Sequence, residues 1–296
     1  MDIRPILVGY DASPDARAAL RWALDEGDRT STPVLLAHAF DWYVDPMWLA
    51  SGAGGWSDTE ARADISAMLA SAVEDAETTH PGVDVTARIL DGPAQVCLRD
   101  LSADAALIVV GGRGTGGFAE LLIGSTAVSV SAHAHCPVVV VRAGTAEATG
   151  DVVVGVDGSP CSLVALEFAF ERAATYQTTL RVIQTWTPPS TRFVPQGLSL
   201  LTISRNIART IHGDLDDMVA DWRQKYPQVP TSTHVHTGSA AAQLVAASDH
   251  ARLVVVGSRG RGSISGTFLG SVGQELIHHS HCPVAIVREV AQSAAG

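Results

Sequence analysis

The residues in this 296-residue chain best suited to chemistry are two sets of glycines, each ending in a serine. Gly111 and Gly114 bracket two residues, nine more follow, and Gly124–Ser125 closes the pattern; Gly257, Gly260, Gly270 and Ser271 repeat it at the same spacing. Each set follows an aliphatic run, ALIVVG or RLVVVG, as a loop follows a strand. Glycines in such a loop let backbone N–H groups approach an anion with no Cβ in the way. A Gly-Ser pair that opens a helix adds the anion site of a helix N-terminus and a hydroxyl. Arg113 and Arg259, inside the glycine pairs, supply positive charge. The chemistry indicated is phosphate binding; the plainer alternative is a tight loop that binds nothing.

Two other glycine-rich readings fail on detail. A P-loop needs lysine before its terminal Ser or Thr, whereas the residues here are IGS and LGS and the only lysine is Lys225. Gly112-x-Gly114-x-x-Gly117 spells the dinucleotide fingerprint, but after a fourth strand rather than a first, and the second copy lacks it. The other chemical candidates are Asp11 and Asp157. Each closes the first strand of its half, just before a helix. A carboxylate there can accept hydrogen bonds from ribose hydroxyls or adenine, or it can be a turn aspartate bonding nearby backbone N–H groups.

The elements that hold these residues are written twice. ILVGYDASP (6–14) returns as VVVGVDGSP (152–160), LIGS as FLGS, and HAHCPVVVVR (133–142) as HSHCPVAIVR (279–288), always 146 residues later. One register kept over several segments predicts two copies of one domain, at 1–143 and 151–296, joined by a small-residue linker at 144–150. Within each copy strands and helices alternate. In the first, Ser13 is placed as N-cap and Pro14 at the first helical position, with Gly27 closing that helix. Continuous Val/Ile/Leu runs predict strands covered on both faces, hence a parallel sheet. Right-handed crossovers then favour five strands in the order 3-2-1-4-5, an α/β Rossmann-like sandwich. The switch point falls between strands 1 and 4, where such sheets bind ligands, and it brings Asp11 to the glycine loop.

On these residues the chain resembles the universal stress protein family in tandem form. The strand-1 aspartate, the G-x2-G-x9-G-S motif and the closing HCPVVVVR strand carry the resemblance over nearly all of both halves. It implies the adenine nucleotide alpha hydrolase-like fold and membership of the family's ATP-binding class. It further implies that Asp11 and Asp157 meet the ribose or adenine. The backbone at Gly9, Tyr10 and Ala39, and at Gly155, Val156 and Thr185, would line an adenine slot. The glycine loops with Gly124–Ser125–Thr126 and Gly270–Ser271–Val272 would hold the phosphates. Thr126 against Val272 leaves a second hydroxyl in the first copy only.

The function expected is a nucleotide-dependent regulator with two ATP sites, ATP arriving with Mg²⁺, and little or no turnover. The alternative is a slow ATPase or an adenylate-handling hydrolase. Hydrolysis needs a positioned base and metal carboxylates. The only further acid inside a loop is Glu120, whose counterpart is Gly266. A net charge of −11 argues against nucleic acid. No apolar run reaches the roughly 20 residues of a membrane span, and the first residues lack a signal-peptide pattern, so a cytoplasmic location is expected. His133, His135 and Cys136 could ligate metal, but Pro137 begins the last strand and favours a buried cysteine at a helix end. Cys97 and Cys161 do not correspond between copies and are expected to pack as small apolar residues. The tryptophan-rich segment 41–56 is either a lid or partner surface, or a loop folded on its own domain. An unknown protein partner, an intramolecular pseudo-dimer and a homodimer complete the expectations.

Overall fold

The computed structural model describes residues 3–41, 58–114, 123–145, 149–188, 200–261 and 269–289. The tryptophan-rich segment from residue 42 onward, Gly117, Glu120 and much of the stretch 187–201 lie outside them. The chain divides into two compact units, Met1–Ala143 and Gly144–Gly296.

The first unit runs β1 (Ile6–Gly9), α1 (Pro14–Thr30), β2 (Val34–Phe40), α2 (Asp58–Thr79), β3 (Val85–Asp91), α3 (Ala94–Leu101), β4 (Leu107–Gly111), α4 (Ser125–His133) and β5 (Val138–Val141). The strands pair in the order β3-β2-β1-β4-β5, and every pairing is parallel. β1 is the central strand. Leu7 and Val8 are successive residues, so they point to opposite faces, and both have no exposed surface. Both faces are therefore covered, which explains the unbroken aliphatic runs. Each such side chain contributes about 2 kcal/mol on burial.

α1 starts where its sequence says it should. The Ser13 hydroxyl accepts from the Ala16 amide at 3.2 Å, and Pro14 takes the first position, where its missing N–H costs nothing. Its Ala16, Ala19, Leu20, Ala23 and Leu24 are buried. Gly27 does not close the helix, which continues to Thr30 and ends on Ser31 at φ 52°. Gly27 serves packing instead: a Cβ there would lie 2.8 Å from the Thr32 carbonyl oxygen and 3.2 Å from Val34. The absent side chain lets the last turn of α1 close onto the start of β2.

The second unit repeats the plan with β6 (Asp151–Gly155), α5 (Pro160–Tyr176), β7 (Leu180–Trp186), α6 (Leu200–Lys225), β8 (Thr231–Thr237), α7 (Ala240–Ser248), β9 (Ala251–Gly257), α8 (Ser271–His279) and β10 (Val284–Val287). Its parallel order is β8-β7-β6-β9-β10, the same 3-2-1-4-5 arrangement. Ser159 caps α5 through the Ser162 amide. Phe170 of α5 is fully buried and stacks on Tyr226 at 5.7 Å and Trp222 at 6.1 Å, contacts worth about 1 kcal/mol each beyond area. Cys136, Cys161 and Cys282 are buried; Cys97 is half-buried and its thiol donates to the Asp91 carbonyl. His135 is exposed, and the half-buried His133 places Nδ1 2.8 Å from the Ser129 carbonyl. Among the described residues no helix is long and apolar enough to cross a membrane, and no group of three or more His, Cys, Asp or Glu could hold a metal.

Candidate nucleotide site

β1 ends at Gly9, so Asp11 stands two residues beyond the strand rather than at its end, and Asp157 stands likewise beyond β6. The turn that carries each aspartate is held by the aspartate itself. Asp11 Oδ1 accepts from the Ser13 amide at 3.0 Å, and Asp157 Oδ1 from the Ser159 amide at 2.9 Å. The backbone-bonding role of a turn aspartate is thus present in both halves. Burial pushes the Asp157 carboxyl up, but hydrogen bonds from Ser159, the Arg261 amide and Ser162 outweigh it and hold the group below its usual range.

The glycine loop is built against that carboxylate. A Cβ at Gly114 would lie 2.6 Å from Asp11 Oδ2, and one at Gly260 would lie 2.6 Å from Asp157 Oδ2. The first glycine of each pair makes room for a helix: a Cβ at Gly111 would meet the Ala16 nitrogen at 2.8 Å, and one at Gly257 the Cys161 carbonyl carbon at 2.8 Å. Both glycines of the pair thus admit the protein's own groups, a second reason for their small size beside ligand access. The serine caps also tie the loop down. Ser13 Oγ donates to the Arg113 carbonyl at 3.1 Å, and Ser159 Oγ to the Arg259 carbonyl at 3.4 Å. The Gly124 amide donates to the Gly112 carbonyl at 2.7 Å, and the Gly270 amide to Ser258 at 2.8 Å, so each loop returns on itself before its helix starts.

That helix starts without a capping side chain, as does α3, whose N-cap is Pro93. α1, α5 and α7 carry serine caps that bond their first-turn amides. α4 and α8 begin after Gly124 and Gly270, and among the described residues no N-cap side chain bonds their first-turn amides. Both open onto a cavity. The first, of about 690 Å³, is lined by Gly9, Tyr10, Asp11 and Ala39 and by Gly111, Arg113, Gly114, Gly124, Ser125 and Thr126. The second, of about 440 Å³, is lined by Gly155, Val156, Asp157 and Thr185, and by Gly257, Arg259, Gly260, Gly270, Ser271 and Val272. Both volumes suit a small organic ligand. Ser125 Oγ accepts from Gln95 Nε2 at 3.1 Å, which fixes the hydroxyl at the helix start.

The strand ends form the other wall. The Tyr10 amide donates to Ala37 and the Val156 amide to Ile183, both at 2.9 Å, as the last links across β1–β2 and β6–β7. Ala39 and Thr185 lie two residues further along β2 and β7, past those partners. Their main-chain edges toward β1 and β6 face the cavity rather than a strand.

Several wall residues have no mark in a single copy of the pattern. His38 lines the first cavity with Nδ1 2.8 Å from the Tyr10 carbonyl. Asp15, only 3% exposed, accepts from the Arg113 amide and the Ala143 amide, both at 2.8 Å. Arg261 lines the second cavity and donates its amide to Asp157 Oδ2 at 2.7 Å.

A model of the universal stress protein family matches residues 2–142 and again 149–288. The chain belongs to this family. As a tandem universal stress protein it is 34% identical over 293 residues to a universal stress protein of Mycobacterium tuberculosis H37Rv, with 96% of each chain covered. A universal stress protein of Mycolicibacterium smegmatis is 32% identical over 294 residues, again with 96% of each covered. The crystal structure of a universal stress protein from Archaeoglobus fulgidus matches with a TM-score of 0.65 at 18% identity, over 97% of this chain and 99% of that one. At that identity the likeness speaks for the fold.

Proposed function

We propose that each half binds one ATP and that the protein is a nucleotide-dependent regulator with little or no turnover. One observation carries the reading. In both halves the helix that follows the glycine loop starts on a glycine with no side-chain cap, and its first turn opens onto a cavity that holds a carboxylate two residues beyond the central strand. A phosphate fits such a helix start through its amides and dipole. In this reading Asp11 and Asp157 accept from the ribose hydroxyls. The outer edges of Ala39 and Thr185 face the base. Arg113 and Arg259 neutralise phosphate charge, and Ser125 with Thr126, or Ser271 alone, adds hydroxyls. Mg²⁺ would ride on the phosphate oxygens and water, as this ion keeps much of its hydration.

Two facts favour holding over hydrolysis. A general base works best with a pKa near the operating pH, and hydrogen bonds from the Ser159 and Arg261 amides help to hold the Asp157 carboxyl below its usual range. Asp15, the other carboxylate on the first cavity, has both oxygens engaged by backbone amides. The test is to denature freshly purified protein, separate the released nucleotides, and follow phosphate release from added ATP. ATP recovered intact, with turnover no faster than the buffer blank, is the expected result. NAD, or no nucleotide together with no ATP binding, overturns the reading.

A further inference from the structure

The two cavities share a plan but not a charge. Two substitutions between the copies fall at the phosphate end. Asp15 is buried on the first cavity, with Oδ2 2.8 Å from the Arg113 amide and 3.8 Å from Arg113 Nε. The position 146 residues later is Cys161, a buried cysteine in place of the carboxylate, beneath Gly257. Arg261 lines the second cavity beside Gly158; the corresponding residue in the first copy is Thr115. Both copies keep an arginine in the glycine pair (Arg113, Arg259) and one after the last strand (Arg142, Arg288). Arg142 lies against the loop, its Cγ 2.7 Å from where a Gly112 Cβ would stand. Arg288 is half-buried, and burial followed by the like charge of Arg259 pulls its pKa down. Among the described lining residues the second cavity therefore carries two more formal positive charges than the first: one from losing Asp15, one from gaining Arg261.

From this asymmetry we infer that the two cavities differ in how they weigh phosphate charge: the second strongly prefers the polyphosphate, while the first discriminates little between ATP and a nucleotide with fewer phosphates. The inference rests on the nucleotide reading above. Its physical content is Coulombic. Each added ligand charge gains more in the second cavity, and the gain weakens as salt screens it. ATP carries about two more negative charges than AMP near neutral pH. The ratio of ATP to AMP affinity should then be at least about tenfold larger in the second cavity than in the first at low salt.

The experiment uses the full chain with one cavity disabled at a time, by Asp11→Ala with Gly114→Val or by Asp157→Ala with Gly260→Val. ATP and AMP are titrated calorimetrically without divalent cation, at low and at high salt. A larger ATP-to-AMP ratio in the second cavity, with the gap narrowing as salt rises, is expected. Arg261→Gln, on an exposed side chain whose loss leaves the backbone bond to Asp157 intact, should lower the ratio there severalfold. Asp15→Asn, which removes the charge and keeps an acceptor oxygen, should raise the ratio in the first. Equal ratios, a reversed order, or ratios indifferent to both substitutions overturn the inference while leaving two nucleotide sites standing. Failure of both cavities to bind either nucleotide overturns it together with the reading beneath it.

Discussion

Adding a single methyl group to the second glycine of each loop separates a binding role from a packing role. A Cβ at Gly114 would sit 2.6 Å from Asp11 Oδ2, well inside van der Waals contact, and the same holds for Gly260 and Asp157. Neither glycine has a positive φ, so alanine fits the backbone and the collision is with the carboxylate alone. The carboxylate must swing away and weaken its bond to Ser13 or Ser159, at 3.0 and 2.9 Å. That bond is partly exposed, so its loss costs about 1 kcal/mol. In a unit of this size the melting temperature falls by about 2–4 °C. The ligand loses a charge-assisted hydrogen bond of about 1.5–3 kcal/mol, a factor of about 10 to 100 in affinity. Gly111→Ala should behave in the opposite way. Its Cβ meets the backbone of α1, which cannot swing, so overpacking of about 1–3 kcal/mol appears as lost stability. Gly124→Ala meets its nearest atom at 3.4 Å and should leave the fold unchanged. Calorimetric ATP titration and thermal melting of Gly114→Ala/Gly260→Ala, Gly111→Ala and Gly124→Ala give the comparison. Undiminished ATP affinity in the Gly114→Ala/Gly260→Ala protein would refute the placement of the ligand against these aspartates.

Three further outcomes follow from the same geometry. Ala12 holds φ 58° where its counterpart is Gly158 at φ 75°, so Ala12→Gly should relieve strain and stabilise the first unit by about 0.5–1 kcal/mol in denaturant melts. The Asp157 carboxyl titrates below its unfolded value, so its stabilisation is present above the ordinary carboxylate pKa near ~3.9 and fades as pH falls through the folded value. Asp157→Asn should therefore be less stable than the native chain at neutral pH, with the gap closing below about pH 4 in urea titrations at stepped pH. Burial pushes the Cys136 thiol up to about 12, and burial with Asp100 and Asp91 also raises Cys97. A thiol reagent at pH 8 should label Cys97 slowly and the buried Cys136, Cys161 and Cys282 only after denaturation.

Much of this was legible because the chain repeats itself. The serine-proline starts of α1 and α5 and the aliphatic strands are local signals, and they stand where their residues place them. Gly27 misleads because its reason lies across the fold, in Thr32 and Val34, and not in its own helix end. Asp11 and Asp157 reach their loops, yet the spacing alone hides that Gly114 and Gly260 are small to admit those carboxylates. Asp15 bonds the Arg113 amide across 98 positions in sequence, a pairing no local pattern reveals. Setting the two copies side by side would have flagged it, since an acid in one stands where the other has Cys161.

The central claim is that the cavities between the glycine loops and the strand-end aspartates are nucleotide sites. ATP titrated into the native chain, and into Asp11→Ala/Gly114→Val/Asp157→Ala/Gly260→Val, tests it most directly. The account predicts two ATP per native chain at saturation and none in the variant, with the far-ultraviolet spectrum unchanged. Full binding by a folded variant would contradict it.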